Sequence, residues 1–466
     1  MKKYLLLFLT IIIFIPGIVF SLPSFEVYPE EGDPWPEITN VEAVVVGSTI
    51  TITAEITDTS PISSATITIR DYDGAIIYNE AIFDNGYFPD DEEGDEIYTA
   101  QCFITQAGNY DIYISATDNL GNSTPEPLEV LNSFTITILP GWLYKKPITI
   151  SHANVDSNLT NFPVYVEINS DTDIGGTAMS NGYDIRFTDA DGNMLDYERE
   201  SWSVSDGQAT ASFWVSVSSI SSTEDTTIYI YYGKDESPDG QNATAVWDSN
   251  YKGVWHMSEA TGINNNDSTI NANIGTPTNG PTQSTGKISG SLNFDGSNDY
   301  VSLSQLPISG STSFSVFSWV KTSATGARRQ VFSFGSLATN QGMWFFVNSN
   351  NKIQMDLSNA GGPSSSLTVT DGNWHYVGVV NNSGTIQIYV DGLASGSSAS
   401  MSPNISAGSQ VMARSLTDYG DAYYFPGYLD EVRVSSTARS ASWIKFEYYN
   451  MNSEDNELEV GGQEAN

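Results

Sequence analysis

The chain of 466 residues carries 56 acidic and 18 basic side chains, a formal net charge of −38, with 12% aromatic residues and one cysteine. That length exceeds one ordinary core and calls for about two to four domains, and the aromatic content is that of a chain that buries real cores. Charge of this sign repels phosphate backbones, so a nucleic-acid partner is excluded, as is unassisted landing on an anionic membrane surface.

Residues 1–21 read as a signal peptide. Lys2 and Lys3 precede an apolar run from Tyr4 to Phe20, and Val19-Phe20-Ser21 supplies a cleavage site after Ser21. The expected location is therefore extracellular or cell-surface, with membrane contact only through an uncleaved signal segment. Residues 22–36, rich in Pro and Glu, read as a linker. The single cysteine, Cys102, has no internal disulfide partner and is expected to pack as a small core residue.

Residues 37–139 alternate apolar and polar positions in short runs, from Val41–Ile56 through Ala65–Ile69, Tyr98–Ile104 and Tyr110–Ser115 to Phe134–Leu139. Asp73-Gly74, Asn85-Gly86 and Asn119–Gly121 supply turns between them. About seven strands in such a length predict an Ig-like sandwich. The run Gly108–Asp118 resembles the F-strand of bacterial Ig-like repeats.

Residues 140–250 open with Gly141-Trp142-Leu143-Tyr144-Lys145-Lys146-Pro147. They continue through Asp184-Ile185-Arg186-Phe187-Thr188-Asp189-Ala190-Asp191-Gly192 to Tyr231-Tyr232-Gly233. This succession resembles the DUF2341 family, which implies a β-sandwich and a secreted setting but no activity. Residues 251–466 carry Gly253-Val254-Trp255-His256, Phe294-Asp295-Gly296, Phe314–Lys321, Asn373-Trp374-His375, Ile386–Gly392 and Gly427–Val434. These resemble a LamG-like, concanavalin A-type jelly roll. The expectation is an all-β chain of three serial β-sandwich domains: Ig-like, DUF2341-like and concanavalin A-like.

Residues 22–139 hold 22 acidic side chains and one basic. Their densest run, Asp84–Glu96, offers closely spaced oxygen ligands with glycines for folding back, the arrangement a hard cation requires. Asp84, Asp90, Asp91 and Asp95 are the candidate Ca²⁺ ligands there. The alternative for the run is a solvated acidic hairpin. In the jelly roll, the LamG resemblance implies a structural Ca²⁺ on rim acids, with Asp295, Asp299 and Asp430 the candidates; Asp391-Gly392 reads as a hairpin turn.

Sugar recognition needs aromatic faces on loops, and Trp344, Tyr419, Tyr423 and Tyr424 are the candidates, whereas Trp319 and Trp374 read as core. No E-x-D-x-x-E strand, H-E-x-x-H or G-x-S-x-G motif is present, and Asp430-Glu431, as strand neighbours, are expected to face opposite ways. The reading is a non-catalytic surface protein that binds carbohydrate or another cell-surface ligand through the LamG-like domain. A structural stalk, surface-layer or adhesin component stays open, as does an accessory module of a polysaccharide-degrading system.

Overall fold

The computed structural model describes residues 34–46, 49–71, 74–84, 94–104, 108–125, 130–136, 139, 141–305, 307–416, 423–452 and 457–466. The expected signal peptide, most of the linker, Asp90, Asp91 and Tyr419 lie outside the described residues. The fold is all-β and antiparallel, in two compact units that divide near residue 135.

The first unit stacks a three-stranded sheet (Glu37–Val46, Thr49–Thr57, Ile97–Phe103) and a four-stranded sheet (Ile76–Ile82, Ile62–Asp71, Gly108–Asp118, Asn132–Ile136). The long alternating run from Val41 to Ile56 is a hairpin, in register from Glu37↔Thr57 to Val46↔Thr49, with a bulge between Thr39 and Glu42. Alternation puts Ile50, Ile52, Ala54 and Ile56 inside from one sheet and Ile67, Ile69, Ile112 and Ile114 from the other. Cys102 is among these core residues, and burial pushes its thiol up to about 11.

The second unit holds two sandwiches. In the first, one sheet is built on Tyr144–Ile150 and Thr226–Tyr232, and the other runs Tyr197–Ser205, Gln208–Ile220, Leu159–Asp171. The C-terminal strand Leu458–Val460 pairs with Tyr144–Ile150, so the end of the chain closes a sheet that begins more than 300 residues earlier.

The jelly roll that follows has nine strands in one sheet, with Phe314–Lys321 between Pro426–Ser435 and Trp374–Asn382, and seven in the other, with Gly342–Val347 between Arg329–Gly335 and Lys352–Leu357. Val316, Val320, Phe332, Phe345, Val377, Leu429 and Val432 fill the space between its sheets. The other face of the nine-stranded sheet is also apolar. Its Phe317, Trp319 and Tyr376 join Trp214 of the first sandwich and Trp443, Ile444 and Phe446 of the helix Ala441–Met451 in one continuous buried cluster. The two sandwiches therefore share a core, which identifies them as one folded body.

Candidate functional site

On the strand Gly342–Val347, alternation divides the side chains. Met343, Phe345 and Val347 enter the jelly-roll core, while Trp344 and Phe346 pack with Leu416 and Leu337 on the outer face of the seven-stranded sheet. Trp344 is thus a strand residue, 6% exposed, and not the loop aromatic expected from sequence. The reason is period: a Trp two residues from Phe346 on a strand buried on both faces has neighbours to cover it.

Around that floor the face is aromatic and cationic. The Arg328 guanidinium lies 3.6 Å from the Phe346 ring centre and 5.5 Å from that of Tyr423, and its Nη1 stands 3.7 Å from Asp356. Asp356 and Gln354 pair across the strands with Trp344 and Phe346, and Gln354 donates to Asp356 at 2.7 Å. Burial raises the Asp356 carboxyl, against the opposing effects of Gln354 and Arg328. Arg414 lies 4.7 Å from the Tyr300 ring and 5.8 Å from that of Tyr424. Tyr423 is tied by its carbonyl to Gln330 N at 2.9 Å. Tyr300, Tyr423 and Tyr424 are each half-buried. Three of the four aromatic candidates therefore reach one face, two as its surface and Trp344 as its floor.

The other expected ligand residues take backbone amides. In the first unit, Asp84 accepts from Gly94 N and Glu96 N, and Asp95 accepts from Ile97 N. In the jelly roll, Asp295 accepts from Ser297 N and Asn298 N, and Asp299 from Asp295 N. Asp430 is fully buried, away from any rim, with Oδ2 accepting from Lys287 N and Ile288 N. Asp295, Asp299 and Asp430 serve as turn and strand caps here, and their carboxylates do not converge on one point.

Trp374, expected in the core, opens its strand half-buried, 6.1 Å from the Tyr428 ring. Lys321 lies between them, at 5.9 Å and 5.8 Å from the two rings, beside an open hollow of about 320 Å³ lined by Thr322, Gly372, Pro426 and Tyr428. Trp374 itself packs, partly buried, against the cluster shared with the first sandwich.

The residues that sequence reasoning missed lie at the seam of the two sandwiches. Glu198 and Glu200 come from the strand Tyr197–Ser205, His256 follows Tyr251–Trp255, Glu431 and Arg433 lie on Pro426–Ser435, and Glu447 is on the helix. His256 Nδ1 is 2.6 Å from Glu431 Oε1 and 3.7 Å from Glu200 Oε2, and its Nε2 is 3.3 Å from Glu198 Oε1. Arg433 donates to Glu431 at 2.7 Å and to Glu447 at 2.8 Å, and its guanidinium lies 4.2 Å from the Trp214 ring. Trp214 Nε1 donates to Glu200, while Trp247 Nε1 and Ser268 Oγ donate to Glu198.

Asp430 and Glu431 do not face opposite ways. Ser318 alone stands opposite Glu431 and Val432 in a bulge, and Glu431 adopts φ +49°, so both carboxylates turn from the jelly-roll core. Burial pushes Glu200 up to about 7, and drives Asp430 well above the carboxylate range with repulsion from Glu431 added. Burial works against a charged His256, yet Glu431, Glu198 and Glu200 together hold it well above the usual imidazole value. Glu431 stays below the ordinary range because His256 and Arg433 outweigh its burial.

Residues 295–445 match the family model described as the concanavalin A-like lectin/glucanases superfamily, and residues 181–256 match a domain of unknown function, DUF2341. No curated protein matches the chain. Among solved structures, domain 4 of AbnA, a GH43 extracellular arabinanase from Geobacillus stearothermophilus in complex with arabinotriose, is 18% identical. That match covers 44% of this chain and 98% of that one at a TM-score of 0.35. A heptameric SAP-like pentraxin from Limulus polyphemus is 18% identical, covering 38% and 93% at a TM-score of 0.29. The CBM40 of the Ruminococcus gnavus IT-sialidase bound to α2,3-sialyllactose is 12% identical, covering 29% and 82% at 0.26. The chain thus carries a DUF2341 domain and a concanavalin A-like domain.

Proposed function

We propose that this is an extracellular, non-catalytic carbohydrate-binding protein whose ligand lies on the outer face of the seven-stranded jelly-roll sheet. The observation that carries the reading is the pairing of half-exposed Tyr423 and Tyr424 with Arg328 and Arg414 beside Asp356 and Gln354. Flat aromatic faces stack on the C–H faces of pyranose rings, and forked guanidinium, carboxylate and amide groups bond hydroxyls. The match to the concanavalin A-like lectin/glucanases superfamily agrees with such a role. Support for a binding role over a catalytic one comes from the seam carboxylates. Glu198, Glu200 and Glu431 meet around His256, and their side chains are 11%, 2% and 0% exposed, so a glycosidic bond has no approach to them.

The test is a glycan array with the full chain, followed by titration of any hit against Tyr424→Ala, Arg414→Ala and Tyr428→Ala. The full chain is required because the jelly roll shares its core with the first sandwich. The reading expects the first two variants to weaken binding by roughly three- to tenfold, the value of one lost stacking or charged contact, and Tyr428→Ala to bind normally. Absence of any glycan ligand, or binding lost only with Tyr428→Ala, overturns it.

A further inference from the structure

We propose that Glu200, His256 and Glu431 form a buried binding site for a zinc-like divalent cation at the seam of the two sandwiches. Among the described residues this is the one group of three or more His, Cys, Asp or Glu side chains whose ligand atoms all lie within 4.8 Å of one another. One imidazole and two carboxylates suit Zn²⁺ and its borderline neighbours better than Ca²⁺, which takes oxygen alone.

The surroundings are those of a metal site built from the outside in. A ligating histidine turns its second ring nitrogen to a carboxylate, which fixes its orientation. Here His256 Nε2 faces Glu198 at 3.3 Å, and Glu198 is itself held by Trp247 at 2.9 Å and Ser268 at 2.6 Å. Arg433 holds Glu431 Oε2 at 2.7 Å, leaving Oε1 toward His256 Nδ1. Trp214 holds Glu200 Oε2 at 2.9 Å. The other oxygen, Glu200 Oε1, is sealed from solvent and has no hydrogen-bond partner, as is the case for Asp430 Oδ1 and His256 Nε2. Glu200 and Glu431 are thus each anchored through one oxygen, and the contact between His256 Nδ1 and Glu431 Oε1 is the one an entering ion would replace. His256 Nδ1 and Glu431 Oε1, at 2.6 Å, stand closer than two ligands of one tetrahedral ion, which are roughly 3.3 Å apart for bonds near 2.0 Å, so loading spreads them by under about 1 Å. Because the group is buried, the ion enters as the chain folds.

The inference is independent of the glycan reading. The test is the full chain produced in Zn²⁺-supplemented medium, dialysed exhaustively and assayed by elemental analysis, with a parallel Co²⁺ preparation. The expected result is about one equivalent per chain with the visible absorption of a histidine-ligated tetrahedral Co²⁺. Both signals should fall at least tenfold in Glu200→Gln, which keeps the Trp214 hydrogen bond, and in His256→Asn. Metal content far below one equivalent overturns the proposal, as does metal retained with unchanged absorption in a folded Glu200→Gln chain. Should His256→Asn not fold, Glu200→Gln decides alone.

Discussion

Asn450 and Tyr165 exchange two hydrogen bonds: Tyr165 N donates to Asn450 Oδ1 at 2.7 Å, and Asn450 Nδ2 donates to Tyr165 O at 3.0 Å. The strand Leu159–Asp171 is the edge of its sheet, and a side-chain amide from the jelly roll's helix does for one peptide unit what a neighbouring strand would do. Both partners are buried, so Asn450→Ala strands a backbone donor and a backbone acceptor away from water. The expected cost is about 2–6 kcal/mol, from roughly 1–3 kcal/mol for each unsatisfied group. Urea unfolding followed by tryptophan fluorescence measures it, since nine of the ten tryptophans lie beyond residue 140. An unchanged midpoint would mean that water reaches both groups.

Trp344 and Tyr424 separate folding from recognition on the same face. Trp344 is buried against Phe346 and Leu416, and Trp344→Ala opens a cavity expected to cost about 3–5 kcal/mol. Tyr424 is half-exposed, and Tyr424→Ala is expected to leave the unfolding midpoint within roughly 0.5 kcal/mol of the parent. Denaturation of the two variants side by side checks this. Equal destabilisation would show that Tyr424 is a packing residue and remove it from the glycan surface.

His375 gives the jelly roll a pH-dependent contact. Asp391-Gly392 forms the two-residue turn between Thr385–Val390 and Leu393–Ala394, with positive φ at both positions, and Asp391 also holds His375 Nδ1 at 2.8 Å and Tyr376 N at 2.9 Å. Asp371 stands 3.2 Å from His375 Nε2. Burial opposes the imidazolium, but Asp391 and Asp371 raise His375 above its ordinary value. A histidine raised on folding stabilises fully below its unfolded value of about 6.5, and the contribution is lost as pH climbs through the folded value. The melting-temperature gap between the parent and His375→Asn should therefore be widest near pH 5–6 and close toward alkaline pH. A gap that stays constant across that range would show that the pair contributes no charge interaction.

Strand periodicity and turn pairs made the all-β fold readable in the sequence, and motif order the DUF2341 and concanavalin A-like domains, because period-2 burial leaves its mark on a strand. Tyr423 and Tyr424 were readable as candidates because Gly420 and Asp421, residues that favour turns, precede them in the sequence. The seam was not readable. Glu200, His256 and Glu431 are scattered over more than 230 residues, and each is surrounded by ordinary strand sequence. Their meeting depends on two sheets packing face to face and on a bulge at Glu431, neither of which leaves a local pattern. Trp344 was misread as a loop aromatic for a related reason. Whether a strand aromatic is covered depends on what packs against the sheet, and Phe317, Trp319 and Tyr376 gave no sign that a second sandwich covers them.

The C-terminal strand is expected to be part of the first sandwich in energy as well as in geometry. Leu458 and Val460 pair with Ile150 and Ile148, Ser151 N donates to Glu457 O at 2.9 Å, and Gly461 N donates to Pro147 O at 2.8 Å. Asn154 and Asn466 add side-chain bonds to Glu457 and to the carbonyls of Leu139 and Trp142. A chain ending at Asn452 would expose the edge of Tyr144–Ile150, with its unpaired amides and carbonyls, as a template for other strands. With several hydrogen bonds lost at about 0.5–1.5 kcal/mol each, the truncated chain should be less stable by about 2–5 kcal/mol and prone to self-association. A synthetic peptide of residues 457–466 added in trans should raise its melting temperature and suppress the larger species on size exclusion, because the vacated edge specifies the register Leu458↔Ile150. A truncated chain as stable and monodisperse as the parent would show that the strand merely rests on the sheet. A peptide without effect would show that the pairing depends on its covalent tether to the helix Ala441–Met451.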